Sequence, residues 1–178
     1  MRDPVELIRL FCRDGDAGAL REFYRAQAGR LWKYLVARGC APEDAYDHVS
    51  EAFLRFVQTV CRDPRAPVAF LYRIATNLKI DAHRRAKASP IDGHADLSEI
   101  DAAGAAAEVD EHAYLRALIQ RLPESEQNLL LLRYWIGLSH KEVAQTLKLP
   151  EGTVRRRCAE AIAKLRECWS ADETPTAD

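Results

Sequence analysis

Residues 138–155 read LSHKEVAQTLKLPEGTVR, and this stretch decides how the C-terminal third of the chain folds. Ser139 and Glu142 have the spacing of a capping box, in which each side chain accepts a hydrogen bond from the other residue's backbone N–H at a helix start. Ala144 is small at the point where a second helix must cross closely. A short turn follows, and Val154 then anchors the next helix against the first. The stretch therefore predicts a helix-turn-helix, whose second helix lies in the major groove of DNA.

The second helix of this motif begins with polar and basic side chains. The candidates for DNA contact are Thr153, Arg155, Arg156 and Arg157. The guanidinium group of arginine is a planar fork that matches guanine edges or phosphate oxygens. Three consecutive residues of an α-helix span about 200°, so the three arginines cannot all enter the groove. We expect one or two of them to read bases and the others to hold phosphates.

The net charge of −1 conceals a segregation of charge along the chain. Residues 91–111 contain seven carboxylates and no Lys or Arg, whereas residues 148–166 contain six basic residues and two acidic ones. The local field, rather than the net charge, decides where a phosphate backbone binds. The near-neutral total therefore does not argue against nucleic-acid binding.

The chain shows no export or membrane signal. No apolar run approaches the roughly 18 residues needed to cross a bilayer, and no signal peptide is recognisable, so we expect a cytoplasmic protein without membrane insertion. The five cysteines are an odd number and include no C-x-x-C pair. In that compartment they are expected to be reduced thiols that pack as small apolar side chains. We expect no bound metal and no cofactor.

The N-terminal half has the periodicity of four helices. Apolar residues recur at three- and four-residue steps from Leu20 to Leu35, which indicates an amphipathic helix. A second helix should begin at Pro42, and the two prolines of residues 63–67 should end it. A third should run from about residue 68 to 87, and a short helix at about residues 4–12 completes a four-helix domain.

The segment that follows has almost no large apolar residue and is acidic and Ala-rich, which is typical of a flexible linker. Two further helices, at about residues 111–121 and 124–135, should precede the helix-turn-helix. The sequence thus predicts an all-α fold of two small helical domains. The predicted parts are a four-helix N-terminal domain at residues 1–88, the acidic flexible linker at 89–110, the helix-turn-helix domain at 111–170 and a polar tail at 171–178.

Three segments, taken in order, resemble the sigma factors of bacterial RNA polymerase of the extracytoplasmic-function type. Residues 42–55 are similar to the helix with which that family grips the polymerase β′ coiled coil. Residues 70–85 are similar to the helix that recognises the −10 promoter element, and residues 122–155 to the domain that reads the −35 element. The three motifs together are specific, and they imply a factor that directs promoter-specific initiation and melts the −10 element.

The resemblance also implies roles for particular residues. The implied polymerase-binding residues are Asp44, Asp47, Glu51, Phe53, Leu54 and Arg55. The implied −10 residues are Arg65, Tyr72, Arg73, Asn77, Arg84 and Arg85. The loop at residues 61–67 and the start of the next helix would capture a base flipped out of the −10 element, and Arg84 and Arg85 would hold duplex phosphates. The implied partners are core RNA polymerase, promoter DNA and an anti-sigma factor.

Two alternative functions are weighed against this one. A two-domain transcriptional regulator with the same helix-turn-helix would bind its DNA site as an isolated protein, whereas a sigma factor would need core polymerase. An enzyme of nucleic-acid metabolism could use the motif for docking, but the chain contains no G-x-x-x-x-G-K-[ST], H-E-x-x-H or G-x-S-x-G. We therefore expect no catalytic activity.

Overall fold

The computed structural model describes residues 2–88 and 118–172, and every regular element in these two stretches is helical. The predicted all-α fold with two small helical domains is confirmed. In chain order the elements are α1 (Pro4–Asp14), α2 (Ala17–Ala37), α3 (Pro42–Thr59), a 3-10 turn (Val60–Arg62), α4 (Pro67–Ala88), α5 (Glu124–Leu130), a π-helical turn (Leu131–Trp135), α6 (His140–Leu147) and α7 (Glu151–Asp172). The predicted linker, most of the helix predicted at 111–121 and most of the polar tail lie outside the described residues.

The N-terminal helices begin where the sequence supplies a cap or a proline. The Asp3 carboxylate accepts a hydrogen bond from the backbone N–H of Val5, and Asp16 caps α2 in the same way. Proline stands in the first turn of α1 and α3, where its missing N–H removes a donor that has no partner within the helix. Gly15 ends α1 with φ of 67°, a conformation that costs glycine little. The four predicted helices of this domain are therefore present.

The helix-turn-helix forms as predicted. The backbone N–H of Glu142 donates to Ser139 Oγ at 3.3 Å, and the backbone N–H of Ser139 donates to Glu142 Oε2 at 2.8 Å, which completes the capping box. The turn after α6 places Lys148 at φ 56°, a left-handed conformation that costs a non-glycine residue about 1 kcal/mol. Val143 and Val154 are fully buried and hold the two helices together.

The leucine-rich helix departs from the predicted straight helix at residues 124–135. It is α-helical only to Leu130 and then widens into the π-helical turn, in which the backbone N–H of Ile136 bonds to the carbonyl of Leu131. All four leucines at 129–132 are buried. Leu130 packs in a small cluster against Ala161 of α7, while the other three join the main core. The four-leucine run is apolar on every side because it lies between two clusters.

One continuous core joins the two domains. Phe23 of α2 and Phe56 of α3 stack with ring centroids 5.1 Å apart, and this group continues into Leu129 and Val143 of the C-terminal domain. Helix α6 packs against α4, so the first helix of the helix-turn-helix lies on the N-terminal domain. The sequence predicts both domains but not this contact between them.

The structure corrects the expectation that all cysteines are reduced. Cys12 of α1 and Cys61 of the 3-10 turn form a disulfide, because the packing of α1 against the turn brings their Cα atoms to 5.3 Å. Cys40 and Cys158 are free and buried, and burial raises the pKa of both thiols. Cys168 is free and partly exposed.

The predicted absence of a metal site and of a membrane-spanning helix applies to the whole chain, whereas the structure describes two stretches of it. Within residues 2–88 and 118–172, no cluster of three or more His, Cys, Asp or Glu side chains has a geometry that could hold a metal ion. No helix in the same stretches combines the length and apolar character needed to cross a membrane.

Candidate nucleic-acid interface

The start of α7 presents two arginines to solvent. Arg155 Nη2 lies 2.6 Å from Glu151 Oε1, and Arg156 Nη1 lies 2.5 Å from Glu160 Oε1, so each is held along the helix by a carboxylate one turn away. The arginine side chains nevertheless remain 66% and 64% exposed. An exposed ion pair of this kind contributes little and exchanges readily for a phosphate or a base edge. Both guanidinium groups are therefore available to DNA.

The inward face of α7 explains why the three consecutive arginines differ. Val154, Cys158 and Ala161 are buried at the spacing of one helical face, which turns residues 155 and 156 outward. Arg157 lies beside this inward face and is half-buried. Of the three arginines, the structure thus favours the first two for reaching DNA, while the division between base reading and phosphate contact stays a prediction.

The predicted −10 residues of α4 are not equally accessible. Arg73 and Asn77 are half-buried and one turn apart, and the Arg73 guanidinium lies 4.9 Å from the centroid of the Phe70 ring. Arg84 and Arg85 belong to the α4 backbone, but their side chains are outside the described part. Only Arg73 and Asn77 of this helix are therefore in a position where the described surface could take up a base.

Tyr72 does not lie on the predicted DNA surface. Its side chain is fully buried, its ring meets the Tyr34 ring edge-on at 5.1 Å, and burial raises the pKa of its hydroxyl. Its role at the −10 element stays a prediction, and in this arrangement of the domains the side chain lies in the core. The reason is its helical phase: Leu71 and Ala75, its neighbours on the same side of α4, are also buried.

The loop before α4 borders a cleft of about 370 Å³. Arg65 is exposed and its Nε lies 2.7 Å from Asp63 Oδ1; this hydrogen bond holds the pKa of Asp63 below its ordinary value. Asp63 and Arg73 form part of the cleft wall on the N-terminal side, and Thr146 belongs to the wall on the α6 side. The residues predicted to capture a flipped base therefore face the helix-turn-helix domain in this structure.

The predicted polymerase-binding surface on α3 is mostly exposed. Asp44, Asp47, Leu54 and Arg55 face solvent, and Glu51 pairs with Arg55 at 2.6 Å. These five side chains form an accessible stripe along the helix.

Phe53 is the exception within the polymerase-binding set. Only 6% of it is exposed, and its ring packs against Phe23 and Tyr24, so it fixes α3 to α2, while its polymerase-binding role stays a prediction. Tyr46, which the sequence reasoning missed, is 63% exposed and packs beside Trp32. Tyr46 lies eight residues before Leu54, which is about as exposed, on the same face of α3. This helical spacing is the sequence signal that could have identified Tyr46.

A polar network joins the domains beside the shared core. The Tyr34 hydroxyl donates to Asn128 Oδ1 at 2.6 Å. The buried Arg38 guanidinium lies 2.6 Å from Glu124 Oε1, and Lys79 Nζ approaches the same oxygen at 3.2 Å. None of these contacts was predicted, because each joins residues 45 to 94 positions apart in the chain.

The helix-turn-helix also touches α4 directly. Thr146 Oγ1 of α6 donates to the backbone carbonyl of Ala69 at 3.3 Å. Among the described side chains, Tyr72 Oη and Arg38 Nε are buried and make no hydrogen bond. Each such atom costs roughly 1–3 kcal/mol relative to a hydrated one.

Glu124 should make this contact between the domains sensitive to acid. Burial alone would raise its pKa, but Lys79 and Arg38 outweigh burial, and the pKa lies below the ordinary 4.5. A lowered folded-state pKa contributes stability that is present above the ordinary value and is lost as the pH falls through the folded-state value. We expect Glu124→Gln to lower the free energy of unfolding by about 1 kcal/mol at pH 7, because the Glu124 side chain is 67% exposed and solvent screens its pairs with Arg38 and Lys79.

Urea unfolding of both proteins between pH 7 and pH 3 checks this prediction. The difference between the wild type and Glu124→Gln should shrink as the pH falls below 4.5. Glu167→Gln, at an exposed position of α7, is the matched control and should match the wild type. A difference that stays constant over this range would show that Glu124 does not act through its charge.

Comparisons with known proteins agree on one family. The family profile described as "Sigma-70 region 2" matches residues 23–89, and "Sigma-70, region 4" matches residues 118–167. The chain is 30% identical over 176 residues to the ECF RNA polymerase sigma factor RpoE of Cereibacter sphaeroides, covering 94% of this chain and 96% of that one. It is 29% identical over 153 residues to the ECF RNA polymerase sigma factor SigM of Mycobacterium tuberculosis, covering 85% and 77%.

Solved structures share the fold at lower identity. CnrH, in complex with the cytosolic domain of CnrY, has a TM-score of 0.65 at 21% identity, covering 96% of this chain and 99% of that one. The sigma factor RpoE, in complex with the anti-sigma factor NepR from Bartonella quintana, has a TM-score of 0.62 at 15% identity, covering 86% and 98%.

Proposed function

The chain belongs to the extracytoplasmic-function group of the sigma-70 family, whose members direct promoter-specific transcription by RNA polymerase, and on that premise we propose how its surfaces divide the work. Helix α3 binds the β′ coiled coil of core polymerase through Asp44, Asp47, Leu54 and their neighbours. Helix α4 and the loop before it recognise and open the −10 element, and α7 reads the −35 element. The protein works in the cytoplasm, where the polymerase is, and catalyses no reaction itself.

The observation that carries this proposal is the outward presentation of Arg155 and Arg156 from the second helix of a capped helix-turn-helix. A guanidinium in the first two turns of such a helix reaches base edges in the major groove. A DNA contact at this end of the chain, together with an exposed acidic and apolar face on α3, fits a factor that binds DNA and polymerase at once.

The packed domains suggest what must change before DNA is read. With α6 lying on α4, the helix-turn-helix forms one wall of the cleft beside Arg73. One turn of DNA is about 34 Å long, and promoter elements farther apart than this cannot be reached by helices in direct contact. We propose that the domains separate when polymerase binds.

Reconstituted transcription tests the proposed function. The purified chain, core polymerase and a library of genomic promoter fragments should together yield a defined set of start sites. Neither the chain nor core polymerase alone should yield them. Specific promoter binding by the isolated chain, as a dimer and without polymerase, would instead support the two-domain regulator.

An anti-sigma factor is the third proposed partner. The two solved structures named above are complexes with a second protein, described for one as an anti-sigma factor. The packed arrangement is the form that such an inhibitor would hold, because it keeps α4 and α6 in contact.

Asn77→Ala should slow promoter opening more than it weakens polymerase binding. The amide can hydrogen-bond the edge of a flipped base, whereas α3 carries the proposed polymerase contacts. Permanganate footprinting of the −10 element measures opening, and a pull-down with core polymerase measures binding. Gln58→Ala removes an exposed amide of α3 outside the proposed sites and serves as the control. Equal losses in both measurements would refute the assignment of Asn77.

A further inference from the structure

The disulfide between Cys12 and Cys61 has no role in the proposed DNA or polymerase contacts. It joins the last turn of α1 to the middle of the 3-10 turn, across 49 positions of the chain. Cys61 is exposed and Cys12 is half-buried, so small oxidants and reductants can reach the pair. A disulfide in a cytoplasmic protein is usually transient, catalytic or a sensor of redox state, which raises the question of what this one controls.

The bond lies at the start of the loop that borders the cleft. The backbone N–H of Asp63, two residues after Cys61, donates to the carbonyl of Val60 at 3.1 Å. This hydrogen bond ties the first residue of the loop to the 3-10 turn that contains Cys61. Asp63 then holds Arg65 by its ion pair. The same loop contributes Asp63 and Ala66 to the cleft whose far side includes Thr146 of α6. Fixing Cys61 to α1 therefore fixes one end of a loop that lies against the helix-turn-helix domain.

We propose that Cys12 and Cys61 are a reversible oxidation site that controls the loop before α4. The oxidised pair holds the loop in the arrangement of the packed domains and slows opening of the −10 element, and reduction releases it. This inference rests on the proposed function for its readout in transcription, but its effect on the loop does not depend on polymerase.

The chemistry balances with a peroxide as oxidant. The more exposed Cys61 thiol is oxidised by one peroxide to a sulfenic acid, and one water is released. The Cys12 thiol attacks the sulfenic sulfur, forms the S–S bond and releases a second water. A dithiol reductant reverses the step: one of its thiols attacks Cys61, Cys12 leaves as a thiol, and the second reductant thiol resolves the mixed disulfide. The reductant ends as the disulfide and the chain as two thiols.

The experiment compares the two redox states of the full chain. One sample is oxidised with hydrogen peroxide and the other reduced with dithiothreitol, and both reagents are removed before core polymerase is added. Permanganate footprinting should show several-fold slower opening of the −10 element by the oxidised chain, with equal binding to core polymerase. The variant with both Cys12→Ser and Cys61→Ser should match the reduced chain in either treatment, whereas Cys168→Ser should respond like the wild type.

Amide hydrogen exchange on the free chain gives a second, independent readout. Residues 60–66 should exchange several-fold more slowly in the oxidised chain. If the reduced chain directs no transcription but this difference in exchange is present, the proposed function alone has failed and the oxidation site stands. Equal exchange of residues 60–66 in the two states overturns the inference, and so does a double serine variant that responds to peroxide like the wild type.

Discussion

Replacing both Cys12 and Cys61 by serine should lower the free energy of unfolding of the oxidised chain by about 4 kcal/mol. The disulfide joins residues 49 positions apart, and in the chain-entropy account a bond that closes a loop of this length removes that much freedom from the unfolded state. The effect is expected to be large because the bond closes a loop that contains α2 and α3, the two helices between α1 and the 3-10 turn.

Urea unfolding without reductant measures this difference for the wild type and the double serine variant. Cys168→Ser, which removes a free and partly exposed thiol, should leave the midpoint unchanged. Dithiothreitol should lower the midpoint of the wild type and leave that of the double serine variant where it is. Identical midpoints for the oxidised wild type and the double serine variant would mean that the bond does not constrain the unfolded chain.

Forming this disulfide should change the stability of the chain and its rate of promoter opening in opposite directions. The oxidised chain should be the more stable form and also the slower to open a promoter. A variant that merely damages the fold would instead lose stability and promoter opening together. Measuring both on the same samples therefore separates control by oxidation from simple destabilisation.

Arg155→Ala should weaken binding to the cognate −35 sequence by roughly 1–3 kcal/mol if Arg155 reads a base. Arg155 is outward and loosely held by Glu151, so its removal leaves the buried face of α7 intact. The loss should fall on one base pair of the element, because a fork-shaped contact to guanine is lost while phosphate contacts remain.

Competition between −35 variants for the polymerase holoenzyme measures this preference. Arg166→Ala removes an equally exposed arginine three turns farther along α7 and should leave sequence preference unchanged. An equal loss on every DNA sequence would make Arg155 a phosphate contact. In that case Arg156, the other outward arginine, becomes the candidate base reader.

The recognition motif is the part of the site that sequence reasoning predicted best. The capping box of Ser139 and Glu142 and the buried positions Val143 and Val154 depend on spacing within about fifteen residues. The N-terminal helix starts followed equally local signals, such as Pro42 in the first turn of α3. The signals are reliable because capping and helical periodicity act between neighbours in the chain.

Two predicted site residues lie in the core, and their surroundings come from distant parts of the chain. Tyr72 has a polar end that fits a DNA contact, yet Tyr34 of another helix covers it. Phe53 belongs to a motif for polymerase binding, yet rings of α2 cover it. The helical periodicity shows which side of its helix each residue lies on. It does not show whether a tyrosine or phenylalanine on that side packs in the core or forms an interface, because aromatic side chains suit both.

By itself the sequence determined the positions of the helices, the capping box and the helix-turn-helix, but not which arginines of α7 point outward. Only the tertiary structure decided that Cys12 meets Cys61, that Glu124 bridges Arg38 and Lys79, and that α6 lies on α4. The physical reason is the range of the interactions. Capping and periodicity act over one or two turns of helix, whereas these contacts depend on how whole helix faces fit together across the shared core.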